Sequence, residues 1–456
     1  MTRLTLAALI AVTACSDPGV DLGADDGFGS DYEIVTDIDP ERNHNVDVLF
    51  VIDNSGSMAE EQSSLTASME ADVFGVFEDS FGVRPNMHVG VISTDTGAGP
   101  FNISGCSGNG DDGVLQDDAR GVGCSPPDDP YIIDTLPEDA GPRVVNYTGA
   151  IHETFNCIAP LGIDGCGFEQ PLESMRRALD GHNPENAGFL RDDAMLAIVI
   201  LADEDDCSTK NTQMFDTSQN SIDDPLGPLS SFRCFEFGVQ CEEDDPRTPG
   251  IRKNCVPRLE SEYMTPVSEY VDFVKGLKSD PTQIIVTAIT GPNSPVVVSR
   301  DQNGNPQLDP SCESPGLGSA APAVRLSGFV AGFRGRGITA SICTNGIGPE
   351  MRYASSVIAG SATGSACLLG TLADVDDMTA GLQYDCRVYD AENRGATDEL
   401  RTRMPACADA DGVLPCFDIA IDSTQCGHTE TQHEVAVTRD AGDLLDTHVL
   451  VRCLIP

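Results

Sequence analysis

The hydrophobic pattern of the chain, from Val46 onward, alternates between short apolar runs and longer amphipathic segments. Val48–Ile52 and Met87–Ile92 have the length and composition of strands, and Glu60–Phe77 between them carries apolar side chains at helical spacing. Ala194–Leu201 is apolar at every position, which is typical of a central parallel strand with both faces buried. This alternation predicts an α/β fold with an open, mostly parallel sheet and helices on both faces.

The same alternation continues to about residue 360, which gives one α/β domain over 45–360. It is interrupted near 97–145, 207–262 and 291–320 by stretches without clear periodicity, which are predicted to be loop insertions. The remaining predicted elements are helices at Tyr147–Ile158, Gln170–Leu179, Val267–Leu277, Ala323–Phe333 and Glu350–Ile358, and strands at Tyr131–Ile133, Gln283–Ile289 and Ile338–Ile342.

The pattern changes over 361–456, where short alternating segments replace the longer ones. Phe417–Ile421, Glu434–Val437 and His448–Val451 alternate like strands, and six cysteines lie in the same stretch. A segment of this size buries too little apolar surface to be stable without cross-links. The sequence therefore predicts a small, disulfide-rich β module after the α/β domain.

The N-terminal residues 1–15 have the features of an export signal. The apolar run Leu4–Ala14 follows a basic start and is shorter than the ~20 residues that a membrane-spanning helix needs. It ends in Val12-Thr13-Ala14-Cys15, which resembles the lipobox of bacterial lipoproteins, and the resemblance implies that Cys15 carries the lipid. An ordinary secretory signal is the alternative. Residues 16–44, rich in aspartate and glycine, are predicted to be a flexible tether.

The cysteine content agrees with export. The chain has 17 cysteines, and an even number remains once Cys15 is set aside, so up to eight disulfides can form in an oxidising compartment. No later segment is long and apolar enough to cross a bilayer, so membrane attachment is expected through the lipid alone. Ser16 stands where an aspartate would resemble an inner-membrane retention signal, which favours the outer membrane of a bacterial cell envelope.

The charge of the chain limits its partners. There are 73 acidic against 27 basic residues, and the formal net charge is −46. Such a field repels nucleic acid and anionic membrane surfaces, so neither is expected as a partner. The acidity fits solubility in a salty or calcium-rich medium.

Polar side chains with metal-binding chemistry follow the first strand at alternate positions: Asp53, Ser55 and Ser57. A carboxylate and two hydroxyls suit hard divalent cations such as Mg²⁺, Mn²⁺ or Ca²⁺. In an open α/β sheet, ligands bind at the carboxyl ends of the strands, which is where this loop lies. A polar turn that caps the next helix is the alternative interpretation of the same residues.

The segment Asp53-Asn54-Ser55-Gly56-Ser57 matches an Asp-x-Ser-x-Ser motif, and with the order of elements it makes the chain resemble the von Willebrand factor A domain family. That motif is the core of the family's metal-ion-dependent adhesion site. The resemblance implies a bound divalent ion, Mg²⁺ or Ca²⁺, and a distal aspartate after the central strand. Asp203 takes that position.

The middle ligand departs from the family pattern. The resemblance implies a threonine in the loop before the third helix, and Glu169 stands in its place. Three carboxylates would favour Ca²⁺ through charge and higher coordination number. They would also neutralise the ion and weaken its capture of a partner's carboxylate, so we expect Glu169 to strengthen metal binding and to weaken that capture.

The function that the resemblance implies is a surface-anchored, divalent-metal-dependent protein-binding or adhesion module without enzymatic activity. Its ligand would be another protein, held through an acidic side chain. Two other classes stay open: a structural envelope lipoprotein whose metal only stabilises the loops, and a metal-dependent hydrolase. The hydrolase needs a base or nucleophile beside the ion, and the sequence offers no Gly-x-Ser-x-Gly segment and no histidine pattern for one.

Overall fold

The structure is a computed structural model. It describes residues 33–38, 44–81, 84–137, 142–280, 283–314, 318–333, 336–344, 346–363, 366–368, 372–375, 378, 383–392, 400–410, 412–421, 426, 431–438 and 447–454. The predicted signal peptide, the lipidation site Cys15 and most of the predicted tether lie outside the described residues.

A seven-stranded sheet forms the centre of the α/β domain. Its strands in chain order are β1 Asn45–Ile52, β2 Asn86–Ser93, β3 Ile132–Thr135, β4 Val144–Val145, β5 Met195–Leu201, β6 Ile284–Thr290 and β7 Gly337–Ser341. Their spatial order is β7-β6-β5-β1-β2-β3-β4. The first five in this order pair in parallel, whereas β3 and β4 pair antiparallel at the edge. The predicted open, mostly parallel sheet is confirmed.

Each face of the sheet carries its own apolar core, because successive side chains of a strand point to opposite faces. In β1, Val48, Phe50 and Ile52 enter one core, and Leu49 and Val51 enter the other. Both sides of this strand are therefore removed from water, which explains why polar and apolar residues do not alternate in its central part.

Eight α-helices cover the two faces and one insertion. They are α1 Ala59–Ser68, α2 Gly75–Phe81, α3 Ile151–Ile158, α4 Pro171–Leu179, α5 Phe232–Gly238, α6 Val267–Lys275, α7 Val324–Ala331 and α8 Gly348–Thr363 within the described residues. A π-helical turn, Met69–Phe74, joins α1 to α2, so the predicted helix at Glu60–Phe77 is one longer helical stretch with a widened middle.

The three predicted insertions contain short strands of their own. Gly99–Ile103 and Cys106–Gly108 form a hairpin in the first, and Val239–Gln240 pairs with Val256–Pro257 in the second. A three-stranded sheet of Gly250–Arg252, Val296–Arg300 and Pro306–Leu308 joins the second insertion to the third, which also holds the pair Cys312–Ser314 and Gly318–Ala320. The last strands of the first insertion, β3 and β4, belong to the main sheet.

Disulfides join cysteines throughout the described residues. In the α/β domain they include Cys106–Cys166, Cys124–Cys157, Cys207–Cys234, Cys241–Cys255 and Cys312–Cys343, and in the C-terminal part they include Cys386–Cys453 and Cys407–Cys416. The first of these ties the hairpin of the first insertion to the loop that precedes α4. The bridges thus brace the insertions and the β module, as the sequence predicts.

The C-terminal module contains two small antiparallel sheets. One has three strands, Ala366–Cys367, His433–Thr438 and Cys416–Ile421 in the order given. The other has four, Glu33–Ile38, Thr447–Leu454, Cys386–Glu392 and Leu400–Met404. The strands predicted from the sequence are present with longer bounds.

The strand Glu33–Ile38 corrects part of the predicted tether 16–44. It pairs antiparallel with Thr447–Leu454 over six residue pairs, from the opposite end of the chain. A single short alternation of apolar and polar residues is a weak signal, and its partner lies about four hundred positions away, so the local sequence does not reveal the pairing.

Among the described residues, the helices are either too short or too polar to cross a lipid bilayer.

Candidate metal centre

The loop after β1 is fixed by hydrogen bonds on both sides of Asp53. The Asp53 amide donates to the Leu201 carbonyl of β5 at 2.9 Å, which joins the ends of two neighbouring strands. The side chain of Gln62 in α1 donates to the Asp53 carbonyl at 2.8 Å and to the Gly162 carbonyl at 2.9 Å. The position of Asp53 therefore depends on β5 and α1 as well as on its own strand.

The three residues of the motif converge within this loop. The Ser55 amide donates to Asp53 Oδ1 at 2.7 Å, and the hydroxyls of Ser55 and Ser57 lie 3.3 Å apart. Asp53 is completely buried and Ser55 is 5% exposed, whereas Ser57 lies at the surface. One carboxylate and two hydroxyls thus line a site that opens to solvent on the Ser57 side.

Asp203 follows β5 and lies against the same loop. Its backbone carbonyl accepts a hydrogen bond from the Ala321 amide at 2.8 Å, and its side chain is 5% exposed. Burial raises the pKa of the Asp203 carboxyl, an effect that a hydrogen bond from the Ser57 hydroxyl partly offsets. Asp53 and Asp203 are 150 positions apart in the sequence, yet their carboxyl groups interact at the carboxyl ends of β1 and β5.

Glu169 comes to the site from the loop before α4. Its carbonyl accepts from the Cys207 amide at 2.7 Å, and the next amide, that of Gln170, donates to the Thr94 carbonyl at 3.0 Å. The Thr94 hydroxyl also donates a short hydrogen bond to Glu169 Oε2. Glu169 is 1% exposed, so its carboxylate is directed into the protein and not toward solvent.

Three buried carboxylate oxygens in this cluster lack a hydrogen-bond partner among the described residues: Asp53 Oδ2, Glu169 Oε1 and Asp203 Oδ1. Burial and the neighbouring Asp203 charge raise the pKa of Asp53 to about 7. Burial and the Asp53 charge raise the pKa of Glu169 well above its usual range. Buried acceptors without donors are costly, and a divalent cation between them would offset that cost.

The donor set fits a cation bound by mixed ligands. Within the described part of the chain, no three Asp, Glu, His or Cys side chains are arranged to hold an ion by themselves. Asp53, Glu169 and Asp203 therefore do not form a complete site alone, and the hydroxyls of Ser55 and Ser57 are the further ligands that an ion would need. Oxygen ligands of both kinds are those that Mg²⁺ and Ca²⁺ accept.

The other carboxylates of the Asp203 loop have structural roles. Asp205 accepts the Arg325 and Leu326 amides at 2.9–3.0 Å and so caps the start of α7. Asp206 is fully buried and pairs with the Arg325 guanidinium at 2.8 Å. These contacts hold the loop against α7, while the Asp203 side chain stays beside Asp53 and Ser57.

Sequence reasoning missed two residues that shape the centre, Thr94 and Gln62. Thr94 is completely buried directly after β2, and the polar run Thr94-Asp95-Thr96 at a strand end was a signal of the same kind as the Asp53 loop. Gln62 is 4% exposed on α1, where a glutamine has no distinctive pattern. Its role depends on two backbone carbonyls that only the fold brings together.

Gly165 shows why the loop before α4 passes so close to the motif. Its amide donates to the Asn54 carbonyl at 2.9 Å, and a Cβ at this position would lie 2.2 Å from Asn54 Oδ1. A larger residue here would force the Asn54 side chain to move.

Comparisons with known proteins give similarities only at the level of structure. No family model matches the sequence, and no curated protein matches it. The open conformation of the pilus adhesin SpaC from Lactobacillus rhamnosus GG is similar at 9% identity and a TM-score of 0.34, over 94% of this chain and 42% of the adhesin. A von Willebrand factor type A protein from Catenulispora acidiphila is similar at 8% identity and a TM-score of 0.29, over 94% of this chain and 67% of that one.

The chain spans less than half the length of the adhesin. What identifies the fold is the molecule itself: five parallel strands in the order β7-β6-β5-β1-β2, an antiparallel edge, helices on both faces, and the Asp-x-Ser-x-Ser loop at the carboxyl end of β1. The α/β domain of this chain has a von Willebrand A-like fold.

Proposed function

We propose that this protein is a divalent-cation-dependent protein-binding module that is anchored through Cys15 to the bacterial cell envelope. Its partner would bind at the surface around Asp53, Ser57 and Asp203, which we call the metal face. The observation that carries the proposal is the set of three buried, unpartnered carboxylate oxygens on Asp53, Glu169 and Asp203. They lie where loops from separate strands meet, which is the usual ligand position in an open α/β sheet.

The proposed ligands have different roles. Asp53, Ser55 and Ser57 coordinate the ion from the loop after β1, and Asp203 and Glu169 complete its shell from neighbouring loops. The exposed side of Ser57 gives a partner access to the ion. Three carboxylates favour Ca²⁺ over Mg²⁺, because Ca²⁺ accepts more oxygen ligands at longer and more variable distances.

A purely structural metal is a second candidate function, and Glu169 is the observation that favours it. Three carboxylates carry one more negative charge than a divalent cation neutralises, so the bound ion would attract a partner's carboxylate weakly. In that case the ion would hold the loops together without contacting a partner.

Calorimetry and equilibrium dialysis with CaCl₂ and MgCl₂ test the metal directly. We expect one ion bound by the wild-type chain and at least about tenfold weaker binding by Asp53→Ala, because that carboxylate connects the other ligands. Asp118→Ala, which removes an exposed carboxylate of the first insertion, is the matched control and should bind like the wild type. A folded chain that holds no divalent ion contradicts the proposal.

A pull-down from envelope extracts with and without chelator separates binding from stabilisation. If the ion is part of the binding face, chelation and Asp53→Ala both abolish capture of the partner. If Asp53→Ala lowers the melting temperature but leaves capture unchanged, the structural role is the correct one.

A further inference from the structure

A cavity of about 540 Å³ lies between the second and third insertions, beside the metal centre. Its walls come from Glu204 and Asp205, from segment 228–235 of the second insertion, and from the turn 301–308 of the third. Ala321 also lines it, and the Ala321 amide is bonded to the Asp203 carbonyl at 2.8 Å. The cavity and the candidate metal centre therefore share a wall.

The lining of the cavity is acidic, and the described residues that form it include no lysine, arginine or histidine. Two of its carboxylates already have hydrogen-bond donors. Asp205 accepts hydrogen bonds from the backbone amides at the start of α7, and Asp301 accepts them from the backbone amides of Asn303 and Asn305. The Glu204 carboxylate, by contrast, is acted on by the charges of Asp53 and Asp203 and by no donor of the described residues. It is the group that a ligand would neutralise.

The aromatic residues of the cavity wall are not arranged to stack against a ligand. Phe232 and Phe235 are 5% and 6% exposed, and their rings pack against each other with centroids 5.5 Å apart. They can contact the aliphatic part of a ligand but cannot offer a ring face to a sugar. The volume lies within the ~300–1,000 Å³ range of ligand sites and accommodates a long side chain with its neighbours.

We infer that this cavity receives a lysine or arginine side chain of the protein partner that binds at the metal face, with Glu204 as its counter-charge. The inference rests on the proposed function and specifies the chemistry of the partner. An acidic cavity beside an ion already neutralised by three carboxylates selects a partner with a basic group, and the charge of −46 steers such partners toward this protein.

An array of ten-residue synthetic peptides tests the inference on the intact chain in CaCl₂. Each peptide carries one aspartate with lysine, arginine or glutamine at varied offsets from it. We expect peptides with lysine or arginine at a favoured offset to bind about tenfold better than their glutamine counterparts, since a charge-assisted pair with a partly buried carboxylate is involved. Glu204→Gln should abolish this preference, and Glu185→Gln, which removes an exposed carboxylate in the turn Pro184–Asn186, should keep it.

Asn303→Lys gives a second measurement that does not alter the buried wall. Asn303 is exposed at the rim of the cavity, and a lysine there would repel and displace a basic ligand. The inference is overturned if basic peptides have no advantage, if the advantage survives both Glu204→Gln and Asn303→Lys, or if a parallel glycan array shows that neutral sugars are the ligands.

The two proposals fail in different ways. If peptides bind only with Ca²⁺ but glutamine serves as well as lysine, the cavity has no such role and the metal-dependent module stands. If the preference for basic peptides is the same in chelator and in Asp53→Ala, the cavity binds as inferred but the metal-dependent module is wrong.

Discussion

Four consecutive carboxylates after β5, Asp203-Glu204-Asp205-Asp206, have four different environments. Asp203 lies in the candidate metal centre, Glu204 lines the cavity beside it, Asp205 lines the same cavity and caps α7, and Asp206 pairs with Arg325. A run of acidic residues usually indicates a loop exposed to solvent. Here the path of the backbone gives each of the four side chains different contacts. Substitutions in this run should therefore have separable effects on metal binding, ligand preference and stability.

Replacing Glu169 by threonine restores the ligand that the family pattern has at this position. We expect Glu169→Thr to bind Ca²⁺ about tenfold more weakly and to shift its preference toward Mg²⁺, because one of three carboxylates is lost. The metal-free protein should not be destabilised by the loss of charge, since the buried Glu169 carboxyl has a raised pKa. Calorimetry with both ions measures the change, and Glu185→Thr is the control. Unchanged affinity and preference would show that Glu169 is not a ligand.

His88 supplies a pH dependence away from the metal centre. It is 8% exposed in β2, and burial lowers its pKa to about 4, although the Phe189 carbonyl 2.8 Å from Nδ1 acts in the opposite direction. The unfolded chain binds this proton near pH 6.5 and the folded chain only near pH 4, so stability is lost as the pH falls through this interval, by up to about 3 kcal/mol. Asp47, 3.8 Å away, opposes this trend, because its pKa is raised to about 6 by burial despite its pairing with Arg191.

NMR titration of the His88 ring measures that pKa directly, and chemical denaturation at pH 7 and pH 4.5 measures the effect on stability. His88→Gln should lose less stability than the wild type between these two values. An ordinary titration midpoint near 6.5, or an equal loss in the variant, would show that burial does not control this group.

At the scale of elements, the sequence predicts the regular parts of the fold because each strand and helix of the α/β domain carries its own periodic pattern. Ala194–Leu201 could be placed in the centre of the sheet from its composition alone, and the structure has β5 at Met195–Leu201. The predicted helix at Tyr147–Ile158 starts later, at Ile151, since Tyr147 is instead held by a hydrogen bond from its hydroxyl to Asp134. Contacts of this kind depend on tertiary structure and have no local signal.

The candidate site was predictable to the same extent. The Asp53 loop has a motif, and Asp203 and Glu169 could be placed by counting from neighbouring elements. Thr94 has a comparable polar run at the end of β2, but its hydrogen bond to Glu169 depends on another loop, and Gln62 has no signal because its role arises from the carbonyls of Asp53 and Gly162. The cavity between the second and third insertions depends on how two irregular segments pair, which their composition does not indicate.

The second insertion is organised around Arg233 in α5. Its guanidinium is almost fully buried and donates to five backbone carbonyls, those of Met214, Asp216, Gln219, Gly227 and Pro228. This one side chain supplies donors to a stretch of loop that has few backbone hydrogen bonds of its own. It also fixes the segment that forms one wall of the cavity.

Arg233→Met should destabilise the insertion by about 3 kcal/mol or more, because several buried carbonyls lose their donor while the apolar volume is kept. Arg300→Met, an exposed arginine with a hydrogen bond to the Gly304 carbonyl, is the control and should cost less than about 1 kcal/mol. Hydrogen exchange over residues 212–235 checks the prediction. Equal protection in the two variants would mean that Arg233 is not the organising group.

At the scale of the whole molecule, the strand Glu33–Ile38 completes a sheet of the C-terminal module. A chain that starts at residue 44 should therefore show faster amide exchange in Thr447–Leu454, with β1 and β5 unchanged, because only the module loses a paired strand. A chain that starts at residue 31 is the control. Equal exchange in both chains would show that the pairing adds nothing to the stability of the module.

The direction of β1 has a mechanical consequence. The chain enters this strand at Asn45 and leaves it at Ile52, so Asp53 lies roughly 25 Å from Asn45, at the carboxyl end of the strand. Attachment through Cys15 would reach Asn45 by way of the strand Glu33–Ile38, which pairs with Thr447–Leu454 of the C-terminal module, so that pairing would bear load as well. Tension from a captured partner would then run along the axis of β1, which is hydrogen-bonded to β2 on one side and to β5 on the other. Such a force shears both rows of backbone hydrogen bonds at once and does not break them one after another.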